Sequence, residues 1–351
     1  MSTPGATIGI KGLSREDLSA LMADLGQPSF RTGQIVRWLY ARGARSYEEM
    51  TDLPSGLRAS LAQGLALTTP VVVDRQSSRV DGTRKYLFEL SDGVSVEAVG
   101  LPTDDRLTVC FSTQAGCAMG CAFCATGASG FVRDLGPGEI ADQVRLVGDD
   151  FGRRVSNAVA MGQGEPFANY DNTLAGLRFL NSPDGLGIGA RHLTVSTCGL
   201  IAGIERLSRE PEQFTLAVSL HSAVQSTRDR LMPGVRAMKL GPLRSALVGY
   251  AEHTGRRPSL EYALIEGVND TDEELDALRR FCSGVLVHVN LIPVNPVAGE
   301  RFSRPSRDRA RVFSERLTEV GVESSIRAER GADIDAACGQ LRQRRLGDAA
   351  V

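Results

Sequence analysis

Cys117, Cys121 and Cys124 stand in the pattern C-x3-C-x2-C within the run AGCAMGCAFCATG. That spacing brings three thiolates within reach of one metal centre, and no fourth cysteine follows in the loop. A ferredoxin-type [4Fe-4S] cluster has every iron capped by cysteine. A cluster held by three cysteines keeps one iron open, and an open iron binds a substrate or cosubstrate. Structural zinc is the competing chemistry, but zinc takes four ligands, usually as two C-x2-C pairs. No second pair is present. Phe123, just before the third cysteine, offers either an aromatic wall or ordinary packing.

Other polar groups fall at the ends of apolar runs. MGQGEPFAN (161–169) carries Gly162, Gly164 and Glu165. A dinucleotide fingerprint fails there, because Phe167 stands where a third glycine belongs. The two glycines still allow a ligand close to the backbone, and Glu165 offers a carboxylate to an ammonium group. A plain strand-to-helix turn with an acid at the helix start is the other reading. Ser196 and Thr197, Ser219 and His221, and Asn295 are each cap or turn residues when taken alone. Together they mark one rim, and the cysteine loop shares it. Cys110, Cys198, Cys282 and Cys338 read on their own as apolar packing.

The elements that position these groups come from the hydrophobic pattern. Residues 1–65 read as short helices: Ser14 caps a run with Leu18, Leu21, Met22 and Leu25, and RTGQIVRWLYARG places Ile35, Trp38 and Leu39 on one face. Residues 66–104 hold alternating runs with turn signals, VVVDRQSS, TRKYLFEL and VSVEAVG, expected as an antiparallel β connector. From 105 to 351 seven apolar strand candidates alternate with six helices. The strands are LTVCFS, SNAVAMG, HLTVST, FTLAVSL, SLEYALI, VHVNLI and VESSIR. The expected class is α/β: a partial parallel (β/α) barrel preceded by a small helical domain and a short antiparallel unit. Active sites of such sheets lie at the C-terminal ends of the strands.

Composition narrows the function. The chain has 351 residues, 42% of them apolar, and a net charge of -2, with a pI near 6.2. No global field draws in nucleic acid, so any RNA contact is local. Residues 1–60 hold seven basic and six acidic side chains. The local candidates are the arginines around Trp38 and Tyr40, RFSRPSRDRAR, and RQRR. Seven scattered cysteines suit metal and thiol chemistry in a reducing compartment, not a disulfide scaffold. No signal sequence opens the chain, and no apolar run reaches the ~18 residues of a membrane span. A cytoplasmic protein, working as a monomer and without a membrane, is expected.

The cluster loop resembles that of the radical S-adenosylmethionine (SAM) enzymes. Five motifs resemble, in order and spacing, the RlmN family of RNA adenine-C2 methyltransferases: CFSTQAGCAMGCAFCATGASGFVRDLGPGEI, MGQGEPFAN, VSTCG, LIPVNPVAGERFSRPS and RGADIDAACGQL. FRTGQIVRWLY and EEMTDLP look like that family's N-terminal helical domain. The resemblance implies one [4Fe-4S] cluster on Cys117, Cys121 and Cys124, and two SAM molecules per turnover. It implies 23S rRNA and tRNA as partners, with an external one-electron reductant such as flavodoxin. Gly164, Glu165, Ser196, Ser219, Leu220, His221 and Asn295 match the family's SAM contacts. Cys338 matches the cysteine that carries an S-methyl group, Glu97 the proton acceptor, and Cys110 the thiol that resolves the RNA–protein link through a transient disulfide with Cys338.

One position departs: the family usually has Met where this chain has Gln163. Methylation at C8 of the same adenosine is the nearest alternative activity, and a non-catalytic iron-sulfur RNA-binding protein is the alternative of another class. An open iron corner predicts release of 5′-deoxyadenosine when the reconstituted protein meets SAM and dithionite, read by liquid chromatography and mass spectrometry. A carrier with every iron capped releases none.

Overall fold

A computed structural model describes residues 9–128, 130–294, 302–327 and 330–334. Asn295 and Cys338 lie outside the described residues, as does RQRR. The twelve strands are β1 (Val71–Ser77), β2 (Arg84–Glu89), β3 (Ser95–Pro102), β4 (Leu107–Cys110), β5 (Gln114–Gly116), β6 (Phe131–Asp134), β7 (Asn157–Ala160), β8 (Leu193–Thr197), β9 (Thr215–Ser219), β10 (Ser259–Leu264), β11 (His288–Pro293) and β12 (Glu323–Ile326). Ten form one sheet in the order β1-β2-β3-β4-β7-β8-β9-β10-β11-β12. From β4 to β12 every neighbour is parallel, and the helices Pro137–Phe151, Tyr170–Asn181, Ile201–Ser208, Leu240–Thr254, Asp272–Cys282 and Arg307–Thr318 alternate with these strands. Parallel neighbours need such crossovers. The sheet ends at β1 and β12, which do not pair, so the barrel is partial, as the alternation predicts.

The antiparallel ribbon β1–β3 continues this sheet: Val99 of β3 pairs with Cys110 of β4. β2 and β3 also pair antiparallel, Lys85 with Val99 and Leu87 with Glu97. Side chains alternate faces along a strand, so Lys85, Glu97, Val99 and Cys110 share one face.

Glycines set two close packings. The helix Pro137–Phe151 starts with proline in its first turn, and the Glu139 carboxylate accepts from the Gly136 N–H at 2.9 Å. Ile140, Val144 and Val147 bury its apolar stripe. At Gly100 of β3 a Cβ would stand 2.4 Å from the Phe151 ring, and at Gly176 one would stand 2.8 Å from Ile140.

The N-terminal helices dock on this layer. Ser14 caps Arg15–Asp24 in a capping box with Asp17. The run from Phe30 is an α-helix only to Val36; a π-turn spans Arg37–Ala41. The extra residue lets Leu39 and Tyr40 both turn inward, and the Tyr40 ring stacks on Phe179 at 4.4 Å. Trp38 is half-buried, with Arg42 over its ring at 4.2 Å and its Nε1–H on Asp52. Lys11 Nζ meets Asp142 Oδ2 at 2.7 Å with both side chains buried. Arg15 and Arg37 close on Asp184 at 3.0 and 2.7 Å. No helix among the described residues is long and apolar enough to cross a membrane.

Removing one member of a buried ion pair leaves the other uncompensated, at about 3–5 kcal/mol. Asp142→Ala, which takes the carboxylate from the buried Lys11 and Arg145 together, is expected to lower unfolding free energy by that amount in urea titration, while Arg15→Ala, at a more exposed pair, costs about 1 kcal/mol or less.

Candidate functional site

A cavity of about 340 Å³ opens at the C-terminal ends of the parallel strands. Its walls include Cys117, Cys121 and Cys124, and Phe123 stands among them. The loop that carries the cysteines leaves β5 and re-enters the sheet layer at β6, a two-stranded ribbon. β5 is only Gln114–Gly116, too short to show as a periodic run. Glycine makes the ribbon possible: Gly116 has φ 72°, and a Cβ there would fall 1.9 Å from the Gly130 carbonyl oxygen. The Cys117 N–H donates to that same oxygen at 2.9 Å, and the Ala122 N–H to Leu231 at 2.9 Å.

The donor set suits a cluster: three thiols share one wall, and a cubane takes one thiolate on each of three separate irons. Burial pushes the Cys117 thiol up to about 12, so a cationic centre is what makes it a thiolate. Cys198 is a fourth thiol on the wall, and residues alone read it as packing. Its hydrogen bond to the Cys121 thiol and its burial push it well above its ordinary value, which makes it a protonated donor beside a ligand. The same bond draws Cys121 down.

Gly164 and Glu165 follow β7 into this wall. Gly164 has φ 104°, and a Cβ would lie 2.6 Å from Gln114 Cβ. Glu165 is buried; its two carboxylate oxygens accept from the Phe167 N–H at 3.0 Å and the Cys198 N–H at 2.6 Å. Burial nevertheless raises its pKa, so an arriving ammonium group meets a carboxylate short of positive partners. Thr197 Oγ1 accepts from the Gly199 and Leu200 N–H groups and turns the chain after β8.

His221 is the one described non-glycine residue with positive φ, 55°. Its Nδ1 accepts the Ala263 N–H at 2.9 Å, and its carbonyl accepts from Asn269 Nδ2 at 2.6 Å. The Phe123 ring meets the imidazole edge-on at 4.6 Å. Burial, then the Arg228 charge, pulls its pKa down to about 3. The ring is therefore neutral, and with Nδ1 accepting, Nε2 holds the proton. His221 is at once a tied structural residue and a donor on the cavity wall.

Ser196, Ser219, Gly164, Glu165 and His221 all line the cavity. Leu220 does not: its side chain is wholly buried in the main core. The reason is alternation, since residues either side of it point to the cavity. Pattern reading missed Glu261, Arg327 and Met161, which also line the wall. Glu261 gave a signal, a charge inside the apolar run SLEYALI; burial raises its pKa, and Ser259 and Asn290 donate to its oxygens at 2.8 and 2.7 Å.

A second, narrow cavity is lined by Lys85, Glu97, Ala98, Val99, Cys110, Gly162 and Gln163. Lys85 Nζ stands 3.7 Å from Glu97 Oε1, both buried. Gly162 belongs to both cavities. Glu97 and Cys110, distant in sequence from the SAM-type motif, thus stand next to it.

Residues 8–67 match the family described as Ribosomal RNA large subunit methyltransferase N-terminal domain, and residues 111–240 match the Radical SAM superfamily. A protein of Symbiobacterium thermophilum named "Probable dual-specificity RNA methyltransferase RlmN" is 45% identical, over 95% of this chain and 91% of that one. A protein of the same name from Gloeobacter violaceus is 45% identical, over 99% and 97%. The crystal structure of a radical SAM methyltransferase from Sphaerobacter thermophilus superposes with a TM-score of 0.87 at 43% identity, covering 95% of this chain and 98% of that one.

The His221 environment predicts a pH effect. Its folded pKa of about 3 lies below the ordinary 6.5, so between those values the unfolded chain holds a proton that the folded one refuses. Stability falls as pH drops through that window, by up to about 1.4 kcal/mol per unit. In His221→Asn, whose side chain tolerates this φ, denaturant titrations from pH 7 to 4 are expected to show a shallower loss than the wild type.

Proposed function

The chain belongs to the RlmN family of radical SAM RNA methyltransferases, and from that premise we propose that it methylates carbon 2 of adenosine. The targets are an adenosine in the peptidyl-transferase region of 23S rRNA and the adenosine beside the anticodon of certain tRNAs. One observation carries the reading: the cavity with the three cysteines and the cavity with Glu97 and Cys110 share Gly162.

Membership brings SAM and a [4Fe-4S] cluster. When bound, the cluster supplies the electron, drawn from an external reductant such as flavodoxin, that splits SAM into methionine and a 5′-deoxyadenosyl radical. Cys117, Cys121 and Cys124 are the residues to hold it. Gly164 lets SAM approach the backbone, Glu165 takes its ammonium group, and Ser196, Ser219, His221 Nε2–H, Asn295 and the Leu220 main chain complete the contacts.

Carbon 2 of adenine lies between two ring nitrogens and has no lone pair with which to take a methyl cation. Cys338, as a thiolate, can take one from a first SAM. The deoxyadenosyl radical from a second SAM removes one hydrogen atom from that S-methyl group, and the methylene radical adds to C2. The adduct would return one electron to the cluster left oxidised by SAM cleavage, and Glu97 would accept the C2 proton. Cys110 attacks the Cys338 sulfur; an S–S bond forms, the S–CH2 bond breaks, and the freed carbon gains a proton. Two electrons reduce the disulfide before the next turnover. Lys85 Nζ stands 3.7 Å from the Glu97 carboxylate and holds it at the cavity wall.

Cys338→Ala is expected to yield no methylated RNA. Cys110→Ala is expected to retain a covalent RNA–protein adduct that survives denaturing electrophoresis. Mass spectrometry of nucleosides from treated rRNA and tRNA reads the product; a methyl group on C8, or transfer that survives Cys338→Ala, overturns the proposal.

A further inference from the structure

Gln163 presents a polar atom with nothing to bind. The residue is 2% exposed, and its Oε1 has no hydrogen-bond partner among the described residues. Its backbone is fully engaged: the N–H donates to Ser112 Oγ at 2.8 Å, and the carbonyl accepts from the Thr113 and Gln114 N–H groups at 2.8 and 3.2 Å. The side chain is therefore held on the wall of the second cavity, with Glu97 and Cys110. A buried acceptor left unpaired is costly. The cavity measures about 10 Å³, room for one group the size of a water or an amino group.

We propose that Gln163 reads the six-amino group of the substrate adenine and so, in this chain, helps hold the edge of the base that enters the site. The inference rests on the reaction proposed above and deepens it. The amino group donates to Oε1 and fills the narrow cavity. The edge that carries it also carries nitrogen 1 and, next to that, carbon 2. A base held this way brings carbon 2 toward Gly162, Glu97 and Cys110, which line the same cavity. Carbon 8 sits across the fused ring and faces away. Glutamine is among the side chains that read adenine through paired hydrogen bonds, and its amide N–H suits nitrogen 1. Gln163 touches the substrate without exchanging an atom with it, so its role is specificity.

The test uses reconstituted full-length enzyme and one RNA hairpin in two forms. One has adenosine at the target site; the other has purine riboside, which keeps carbon 2 and lacks the six-amino group. A site built around a substrate N–H rejects the analogue that lacks it. Wild type is expected to favour adenosine by about tenfold or more in kcat/KM. In Gln163→Leu and Gln163→Met the preference is expected to fall to within about threefold, since no acceptor is left stranded. A purely structural role lowers both substrates alike and leaves the ratio unchanged, which overturns the proposal. A wild-type preference below about threefold overturns it without any variant, so the test holds if a variant fails to fold. Wild type that adds no methyl to C2 of adenosine overturns the parent reaction as well, and that control is read first.

Discussion

Residues 111–114 and 162–165 lie against each other with almost no side chain between them, and the site hangs from that contact. A Cβ on Gly162 would sit 2.6 Å from the Phe111 carbonyl carbon, and one on Gly164 would sit 2.7 Å from the Gln114 nitrogen. Hydrogen bonds fill the space that glycine opens. The Gly162 N–H reaches Phe111, the Gln163 carbonyl takes two N–H groups, and the Glu165 N–H reaches Gln114 Oε1 at 2.9 Å. The Ser112 hydroxyl, which accepts from Gln163, donates in turn to the Glu97 carbonyl at 2.6 Å. One seam thus fixes three things at once: the strand that leads into the cysteine loop, the turn that carries Glu165, and the strand that carries Glu97. Bulk at either glycine pushes backbone, and that backbone positions Glu97, Glu165 and the start of the cysteine loop.

Around the seam two buried carboxylates are hydrogen-bonded but short of charge compensation. Glu165 and Glu261 each accept hydrogen bonds on both oxygens, and burial still raises both. His221 is kept neutral by burial and by Arg228. Such a wall is set for a ligand that brings its own charges, as the ammonium and carboxylate of a methionine group do. Cost is deferred from folding to binding, the usual arrangement where perturbed groups gather in one cleft.

Much of this was legible in the chain. All seven runs predicted as parallel strands are strands; those covered on both faces, such as β9 and β10, read as near-continuous apolar stretches, whereas β12 is an exposed edge strand. The cysteine spacing was visible because the three cysteines sit in one short loop. What stayed hidden came from the third dimension. β5 and β6 are too short to carry a period. The π-turn at Arg37–Ala41 follows from Tyr40 finding Phe179, a partner 139 positions further along. Cys198 reads as packing until Cys121 is beside it. Leu220 sits inside a matched triplet, yet its side chain belongs to the core. Gln163 stands out in sequence as a departure from the family's Met, and the cavity gives its oxygen a direction.

Trp38 is the single tryptophan, and its ring sits under Arg42 with its nitrogen on Asp52. Intrinsic fluorescence of this chain is consequently a local gauge of the N-terminal helices, blind to events at the catalytic wall. Loosening of that layer dims or shifts the signal before the sheet gives way, whereas far-ultraviolet dichroism follows the barrel. Whether the two traces coincide during unfolding tells if helices and sheet melt as one cooperative body.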